Sequence, residues 1–456
     1  MQALGDALNS ALRALQANQV GLAVASNNIS NAQTPGYTRQ REILRSVEGS
    51  GGTFSIGGGV EVTGTEAIRD RLIELRLRQE VSSQSQQQMK HEGLSDIEAF
   101  FNESDGTGML PLMSDFFNSF QALSAEPTSP NRRQEVLTNA ARLTDFLNSR
   151  ANSLSDIQTK VDHSLNQDVD QVNTLVDQIA DLSQRITEQE VSQPANELRD
   201  QRSVLVQKLS EIVDVHELES HGNYQVTIGG NRPLVYNGSA KHLTTSTNTA
   251  GFTAIGLGTD DITSEINGGR VGARLELRDQ NIPQYRGALD QLAYELVQNV
   301  NSIHSAAYDL DGNTGNDFFA SLTGVNGAAQ SISLDAGVSA DPRKIAVSTE
   351  TNGMGNGAAI ALGNLMNAPV STGGSILDQY RGFIYTLGSD TASADQGMKQ
   401  HEALLNQLEN RRQEVSGVSI DEETVKILQF QRSFEASARV VKAVDELLQL
   451  TMSLGQ

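Results

Sequence analysis

The residues of this chain that could take part in catalysis or metal binding are few and widely spaced. Seven histidines are present, and three of them, His216, His221 and His242, form the nearest group. They fall in a stretch that is predicted to form strands and loops, without the short, regular spacing of zinc ligands. The pattern therefore argues against a histidine metal site.

Segment 309–320, "DLDGNTGNDFFA", begins like a calcium-binding loop. Asp309, Asp311 and Asn313 occupy alternating positions, as ligands do in such loops. However, Thr314 stands where the sharp turn needs glycine, and Ala320 replaces the bidentate glutamate. We interpret the segment as a polar turn that follows a helix.

Other sequence motifs of catalytic, metal-binding or phosphate-binding sites are missing as well. It contains no cysteine, no G-x-S-x-G elbow and no H-E-x-x-H pair. The glycines at 57–59 do not open a helix after a strand, so a phosphate-binding loop is not predicted there. The sequence therefore predicts a protein that is not an enzyme and has no cofactor and no metal site.

The charge balance restricts the partners of the protein. The chain has 456 residues and a formal net charge of −22, and its basic residues form runs no longer than a pair. Such a chain is unsuited to nucleic acid or to an anionic membrane surface. No apolar run approaches the ~18 residues of a membrane span, so we expect no membrane insertion. The N-terminal residues also make a poor secretory signal, because a basic region followed by an apolar one is missing.

Residues 1–30 carry the heptad pattern of one long helix. At ~1.5 Å per residue the helix would be a rod of about 45 Å with an apolar seam for another helix. A core helix of a globular domain is the alternative interpretation of this stretch alone. The seam residues predicted as an assembly interface are Leu4, Leu8, Leu15, Leu22 and Ile29.

The C-terminal residues show a matching pattern. Ser419 and Glu422 form a capping box, which predicts that a helix begins there. Apolar residues then recur every seven positions, with further apolar residues beside them, so this helix has room for two neighbours. The predicted interface residues are Ile420, Ile427, Phe430, Phe434, Val441, Val444 and Leu448.

The fold class predicted for the whole chain is mainly α with an inserted β module. We expect an elongated molecule in which the N- and C-terminal regions form a long antiparallel helical bundle, with one or more small β domains in the middle. Residues 1–40 and 418–456 are predicted to form a terminal helical assembly domain. Residues 41–214 and 278–417 should form a long-helix bundle, with a hairpin near 45–65 and an irregular, strand-like segment at 316–350. Residues 215–277 should form the inserted β domain, because they are rich in β-branched residues, glycine and turn pairs.

A polar segment, "ASNNISNAQTPGYTRQ" at 25–40, ends the first helix. Pro35 and Gly36 suit the central positions of a type II turn, in which the second central residue has a positive φ. Either the segment is only a helix stop, or its long side chains at 37–40 also meet neighbouring subunits. Its polar and turn-forming residues are Asn27, Asn28, Asn31, Thr34, Pro35, Gly36, Tyr37, Thr38, Arg39 and Gln40.

Three separated stretches resemble one known family. "LAVASNNISNAQTPGYTRQREIL" is similar to the N-terminal signature of the flagellar rod, hook and hook-associated proteins, and its T-P-G-Y-T-R-Q form is closer to the hook-associated members. "SGVSIDEETVKILQFQRSFEASARVV" and the interior "GGRVGARLELRDQNIPQYRGALDQLAYELVQNVNSIHSAAYDLDGNTG" resemble the same group. Residues of about 215–275 and 316–350 carry no detailed resemblance.

The resemblance implies a structural subunit at the junction of the flagellar hook and filament, outside the cell, exported by the flagellar type III route. It implies as partners copies of the same chain in a ring or short tube, the hook protein, the second junction protein (hook-associated protein 3), and a cytoplasmic export chaperone that recognises the C-terminal region. Another rod, hook or filament subunit, or a cytoplasmic coiled-coil scaffold, are the competing interpretations.

Overall fold

A computed structural model describes residues 2–48, 57–101, 108–220, 222–370 and 373–453, and helices dominate these ranges. The helices are α1 (Gln2–Ser30), α2 (Arg71–Phe100), α3 (Met109–Ala125), α4 (Pro130–Gln189), α5 (Asn196–Ile212), α6 (Gly269–Glu276), α7 (Ile282–His304), α8 (Ala328–Ser331), α9 (Ala336–Ala340), α10 (Gly357–Asn364), α11 (Ile376–Ser416) and α12 (Ile420–Ser453). The strands are β1 (Gln40–Ser46), β2 (Val60–Ala67), β3 (Val215–Ser220), β4 (Asn223–Ile228), β5 (Arg232–Tyr236), β6 (Ser239–Ala240), β7 (Leu243–Thr247), β8 (Thr253–Leu257) and β9 (Asp260–Asp261).

Long helices give the molecule its elongated form. Helix α4 has 60 residues, and at ~1.5 Å per residue it is about 90 Å long. Helices α2 and α11 pack along each other in antiparallel directions, since Gly397 lies against Gln87 and His401 bonds Glu80. Helix α11 begins at a capping box formed by Ser375 and Asp378. The predicted fold class is confirmed.

The first apolar core surrounds helix α3. Three phenylalanines of α3, Phe116, Phe117 and Phe120, are almost fully buried, and the first and last of them contact Phe318. The first half of α4, helix α7 and the N-terminal half of α11 complete this core. Aromatic edge-to-face contacts of this kind add to the stabilisation from burial.

The second core lies under the two β sheets of the middle region. One sheet has the order β3-β4-β5-β6 and the other β7-β8-β9, and both are antiparallel. Their buried side chains pack with those of α5, α6 and the second half of α4. The β module at 215–277 therefore shares its core with α4, α5 and α6, and this core begins near residue 165. The division of the chain into domains stays a prediction.

A polar junction separates the two cores along α4. Between Leu154 and Leu165 the only fully buried side chain of α4 is Gln158, which donates to the Arg278 carbonyl oxygen at 2.7 Å. Arg278 itself is buried in a π-helical turn, Leu277–Asn281, and donates to Asp162 Oδ1 at 2.7 Å and to the Thr253 carbonyl oxygen at 2.6 Å.

Several local expectations differ from the structure. The hairpin has strands at 40–46 and 60–67, so it begins earlier than predicted, and residues 49–56 between them lie outside the described residues. All residues of segment 316–350 are among the described ones, and none of them lies in a strand. The segment contains the two short helices α8 and α9 and isolated β-bridges, such as that of Phe319 with Leu334. Helix α3 was not predicted at all.

Candidate assembly site

The two terminal helices pack against each other along a seam of small residues. Gly21 lies under the ring of Phe430, so closely that an added Cβ would be 2.6 Å from the ring carbons. Gly21 and Asn28 of α1 lie opposite Phe430 and Glu423 of α12, which makes the pair antiparallel. Among the side chains of the pair that the structure describes, the buried apolar ones are Ala11, Ala17, Ala25 and Val444. Small side chains allow the two backbones to approach closely.

The predicted seam residues are covered to different degrees. Val444 is buried, whereas Ile420 and Phe434 are exposed. The remaining predicted interface residues are half-buried, namely Leu4, Leu8, Leu15, Leu22, Ile29, Ile427, Phe430, Val441 and Leu448. The α1 leucines and Ile29 are thus only partly covered by α12, because α12 lies mainly on the neighbouring alanine and glycine face.

Helix α12 also exposes apolar side chains outside the predicted heptad positions. They extend around the helix rather than along one stripe, and Leu12 of α1 adds to the apolar surface of the pair. The exposed apolar residues of α12 outside the predicted interface positions are Val425, Leu428, Val440, Leu447, Leu450 and Met452. Of these, Val440 and Leu447 are among the apolar residues that the sequence places beside the heptad positions, and the other four were not predicted.

The polar segment after α1 forms the turn that the sequence predicted. The Tyr37 amide donates to the Thr34 carbonyl oxygen at 3.1 Å, and Gly36 between them has a φ of +79°. Pro35 and Gly36 are therefore the central residues of the turn. Asn31 Nδ2 donates back to the Asn27 carbonyl oxygen at 3.1 Å, as a residue that ends a helix does.

Asn28 joins this segment to both chain ends. Its Nδ2 donates to the Gln40 carbonyl oxygen at 2.9 Å and to Glu423 Oε2 at 3.0 Å. Its Oδ1 accepts from the Gln40 amide at 3.0 Å and from the Tyr37 hydroxyl at 2.9 Å. A buried asparagine can make four such bonds, so the capacity of Asn28 is fully used. The sequence indicated that Asn28 bonds near the helix end, but not that it bonds α12.

Glu423 is a residue of this site that sequence reasoning missed. It is buried on α12 and accepts from Arg39 Nε at 2.9 Å and from Lys426 Nζ at 2.9 Å, as well as from Asn28. Burial alone would raise the pKa of Glu423, but the hydrogen bonds from Asn28 and Lys426 and the charges of Lys426 and Arg39 outweigh it, so the pKa lies below its usual range. Glu423 is therefore a charged, fully engaged carboxylate at the start of α12.

Asp200 of α5 binds the same segment from the other side. Its two carboxylate oxygens accept from the Thr38 amide at 3.0 Å and from the Thr38 hydroxyl at 2.6 Å. Arg69 Nη2 donates to Asp200 Oδ1 at 2.6 Å. Burial raises the pKa of Asp200 despite the charge of Arg69 and the bonds from Thr38. Burial also raises the pKa of Tyr37 to about 12.

The side chains at 37–40 are therefore engaged within the chain. Thr38 and Gln40 are buried, and Arg39 forms ion pairs with Glu422 and Glu423. The hypothesis that residues 37–40 also meet neighbouring subunits stays a prediction. The long, polar side chains read from the sequence already have partners on α5 and α12, which no local pattern could reveal.

The candidate chemical residues do not converge. His242 is exposed and contacts Asp177, His216 lies in β3, and His221 lies outside the described residues. In the ranges that the structure describes, no group of three or more His, Asp or Glu side chains could hold a metal ion. The same ranges contain no helix long and apolar enough to cross a membrane.

Comparison with known proteins first defines the class. Residues 8–38 match the family described as flagella basal body rod protein, and residues 410–454 match the flagellar basal body rod FlgEFG protein C-terminal family. These two regions contain most of α1 and α12 and define a protein of the flagellar axial type. Residues 94–319 match the flagellar hook-associated protein FlgK helical domain.

Full-length similarity then identifies the family. The chain is 29% identical to flagellar hook-associated protein 1 of Bacillus subtilis (strain 168), over 97% of this chain and 96% of the relative. It is 26% identical to the protein of the same name in Escherichia coli (strain K12), over 99% of this chain and all of the relative. The chain belongs to the flagellar hook-associated protein 1 family. The structure of the flagellar hook junction protein FlgK from Burkholderia pseudomallei shares the fold, with a TM-score of 0.66 and 16% identity, and the match covers 75% of this chain and 100% of that one.

Proposed function

We propose that this protein is a structural axial subunit of the bacterial flagellum that joins the hook to the filament. It does so by packing its terminal helices against those of neighbouring copies. The full-length relatives are hook-associated proteins, and the solved structure of the same fold is a hook junction protein. A structural rather than an enzymatic role is part of the proposal.

The exposed apolar surface of α12 carries the proposal. Leu428, Leu447 and Leu450 are each about half exposed, at 51%, 49% and 57%. Burial of apolar surface yields roughly 25 cal/mol per Å², so covering many such side chains in neighbouring subunits drives association. The same α12 surface contacts a different surface of the next copy, and contacts of this head-to-tail kind generate rings or helical tubes rather than closed dimers.

The partners follow from this position in the flagellum. Copies of the chain form a ring or short tube, the hook protein lies on one side, and hook-associated protein 3 lies on the other. A cytoplasmic chaperone covers the C-terminal region before export, and the protein then acts outside the cell. The chaperone would shield the exposed apolar surface of α12 from water until the subunit assembles.

Localisation tests the proposal directly. Sheared flagella from cells that produce an epitope-tagged chain are labelled with gold-conjugated antibody and viewed by electron microscopy. We expect the label at the boundary between hook and filament. Label distributed along the filament or the hook, or present only in the cytoplasm, contradicts the proposal.

A pair of variants tests the role of α12. Leu428→Asp places a charge in the exposed apolar surface, and Gln429→Asp places the same charge on the adjacent exposed position. Because both positions are exposed, we expect neither variant to change the melting temperature of the isolated chain. Leu428→Asp should abolish filament attachment and swimming, while Gln429→Asp should leave both nearly unchanged. Equal motility of the two variants would contradict the assignment of this surface.

A further inference from the structure

The first two turns of helix α2 carry an exposed apolar face. Leu72 is 71% exposed, and Leu75, three residues further on, is exposed as well. Arg76 lies four residues after Leu72, and Arg71 lies four residues before Leu75, so the four side chains are neighbours on the helix surface. We call Arg71, Leu72, Leu75 and Arg76 the α2 tip.

The α2 tip carries positive charge that is not neutralised within the chain. The neighbouring Arg69 and Arg78 both form ion pairs with carboxylates of the same chain. Arg71 instead donates to the carbonyl oxygen of Glu219 at 2.8 Å, and in the part of the chain that the structure describes neither Arg71 nor Arg76 has an ion pair. In a chain of net charge −22, two exposed guanidinium groups beside exposed leucines are suited to carboxylates of another molecule.

A groove of the opposite charge lies between α4 and α5. Leu182 of α4 and Leu205 of α5 line it, and Asp177 and Asp181 of α4 stand beside them, around a volume of about 410 Å³. Glu197 of α5 lines the adjoining cavity, which shares both leucines. We call these five residues the α4–α5 groove. It has an apolar floor with carboxylates at its rim.

The rim of the groove keeps a negative charge. Its three carboxylates are exposed, and Asp181 is 3.6 Å from Arg185, which is the one arginine or lysine that pairs with the rim among the described residues. Asp177 contacts the exposed imidazole of His242. Three carboxylates and one guanidinium group therefore leave the groove complementary in charge to the α2 tip, and apolar where the tip is apolar.

The α2 tip and the α4–α5 groove lie on different sides of helix α5. Helix α5 packs against both α2 and α4, whereas α2 and α4 have few contacts with each other. A copy can therefore offer its tip to one neighbour and its groove to another. Contacts of this head-to-tail kind continue from copy to copy and generate rings or helical tubes.

We propose that the α2 tip of one copy binds in the α4–α5 groove of the next copy. The leucines of the tip cover the leucines of the groove, and the two arginines face the carboxylates of the rim. An apolar centre with charged groups around it is the usual composition of a specific protein interface. The proposal rests on the proposed junction function, since it needs copies that stand side by side. Neither surface contains a residue of α1 or α12, so the contact adds to the one made by those helices.

Chemical cross-linking in assembled flagella tests the contact. The sequence has no cysteine, so Leu72→Cys and Leu205→Cys in one chain provide one thiol on the tip and one in the groove. Flagella detached with their hooks are treated with a short bis-maleimide reagent, and an epitope tag on the chain is detected after denaturing electrophoresis. We expect a ladder of linked dimers, trimers and larger products, because each copy is joined to two neighbours.

Matched variants separate the proposed contact from chance cross-linking. Each single cysteine variant should give no linked product, since a tip meets a groove and not another tip. Gln88→Cys combined with Leu205→Cys places the first thiol at an exposed position about four turns further along α2, and should also give none.

An exchange of charges provides a second measurement. Arg76→Asp and Asp181→Arg each place like charges opposite each other, so each alone should reduce swimming and filament attachment. The combination restores opposite charges and should recover both, as a double-mutant cycle requires of a direct contact. All three variants should keep the melting temperature of the isolated chain, because both positions are exposed.

Each outcome supports or overturns the contact. Absence of the ladder in flagella whose tagged chain lies at the hook–filament boundary overturns it, and so does a linked product of Leu72→Cys alone or one that contains a different flagellar protein. If the cysteine variants do not assemble, the charge exchange decides, and lack of recovery in the combined variant overturns the contact. The proposed junction function fails separately, through label that lies away from the boundary.

Discussion

Asn28 and Glu423 are 395 positions apart in the chain, and Asn28 Nδ2 donates a hydrogen bond to Glu423 Oε2 over 3.0 Å. The same asparagine bonds the backbone of Gln40 in both directions. One buried side chain therefore connects the end of α1, the start of β1 and the start of α12. A segment that ends a helix also serves as the attachment point of the two chain ends.

Replacing Asn28 should separate the terminal helices. Asn28→Ala leaves the Gln40 amide and carbonyl and one Glu423 oxygen without their buried partner. Unsatisfied buried groups cost about 1–3 kcal/mol each when no water replaces the bond, so we expect a loss of about 2–4 kcal/mol in the stability of the paired helices α1 and α12. Hydrogen exchange of the α12 amides measures it. Asn27→Ala, whose side chain makes one long bond to Tyr37 at 3.4 Å and one to Asn31, is the control and should cost less. Equal effects of the two variants would show that Asn28 has no special role.

Enlarging Gly21 should disrupt the seam between α1 and α12. In Gly21→Val the new side chain occupies the space of the Phe430 ring, so the helices must move apart and we expect a destabilisation of about 1–3 kcal/mol. Phe430→Ala in the same chain should restore part of the pairing, which a double-mutant cycle on thermal unfolding detects. Gly5→Ala is the control, since nothing lies within 4 Å of its Cβ, and it should be neutral or stabilising. Additive effects of Gly21→Val and Phe430→Ala would rule out a direct contact.

Helical periodicity predicted the long elements well. Within the long-helix bundle predicted at 41–214, the apolar residues of 130–190 recur regularly over many turns, and the structure has the helix Pro130–Gln189 there. Periodicity did not reveal that the first half of α4 belongs to one core and the second half to another. Helix α3 was missed although its buried apolar residues recur at spacings of three and four and form one stripe, namely Met109, Leu112, Met113, Phe116, Phe117, Phe120 and Leu123. The proline in its first turn is compatible with a helix.

The site was predicted only in part. The local sequence indicates the turn, but it does not indicate which distant residues bond to the side chains of the site. The turn at Pro35 and Gly36 follows from local preferences of the backbone, and the structure has it. Glu423 and Asp200 looked like ordinary helix carboxylates in the sequence. They are buried because Arg39, Arg69 and Thr38 come to them from distant positions, and only the tertiary fold brings those groups together.

Calcium should have no effect on the loop at 309–320. Asp309 Oδ1 already accepts from the Asp311 and Asn313 amides at 2.9 and 2.8 Å, so this oxygen closes a turn instead of facing a metal. We expect millimolar calcium to leave the melting temperature unchanged, and Asp309→Ala to lower it by the same amount with and without calcium. A calcium-dependent rise in the melting temperature of the unaltered chain that is lost in Asp309→Ala would restore the calcium interpretation.

Acid should destabilise the first core through His304. This residue is fully buried; its Nδ1 donates to the Asn316 carbonyl oxygen at 2.7 Å, and its Nε2 accepts from the Ala346 amide at 2.9 Å. Burial is the largest cause of the shift and lowers the pKa of His304 to about 4, and the charge of Arg133 lowers it further. The charges of Asp317 and Asp309 act in the opposite direction and raise the pKa.

The sign of the pH effect follows from this lowered pKa. The unfolded chain binds a proton at His304 near pH 6.5 while the folded chain does not, so stability is complete above about pH 6.5 and falls as the pH decreases towards 4. The full contribution is about 3 kcal/mol, because one unit of pKa corresponds to about 1.4 kcal/mol. Urea unfolding between pH 7.5 and 5 should show a slope that disappears in His304→Gln and persists in His242→Gln, whose imidazole is exposed. The same slope in the His304 variant would mean that other groups cause it, since a neutral glutamine cannot bind the proton that the unfolded histidine takes up.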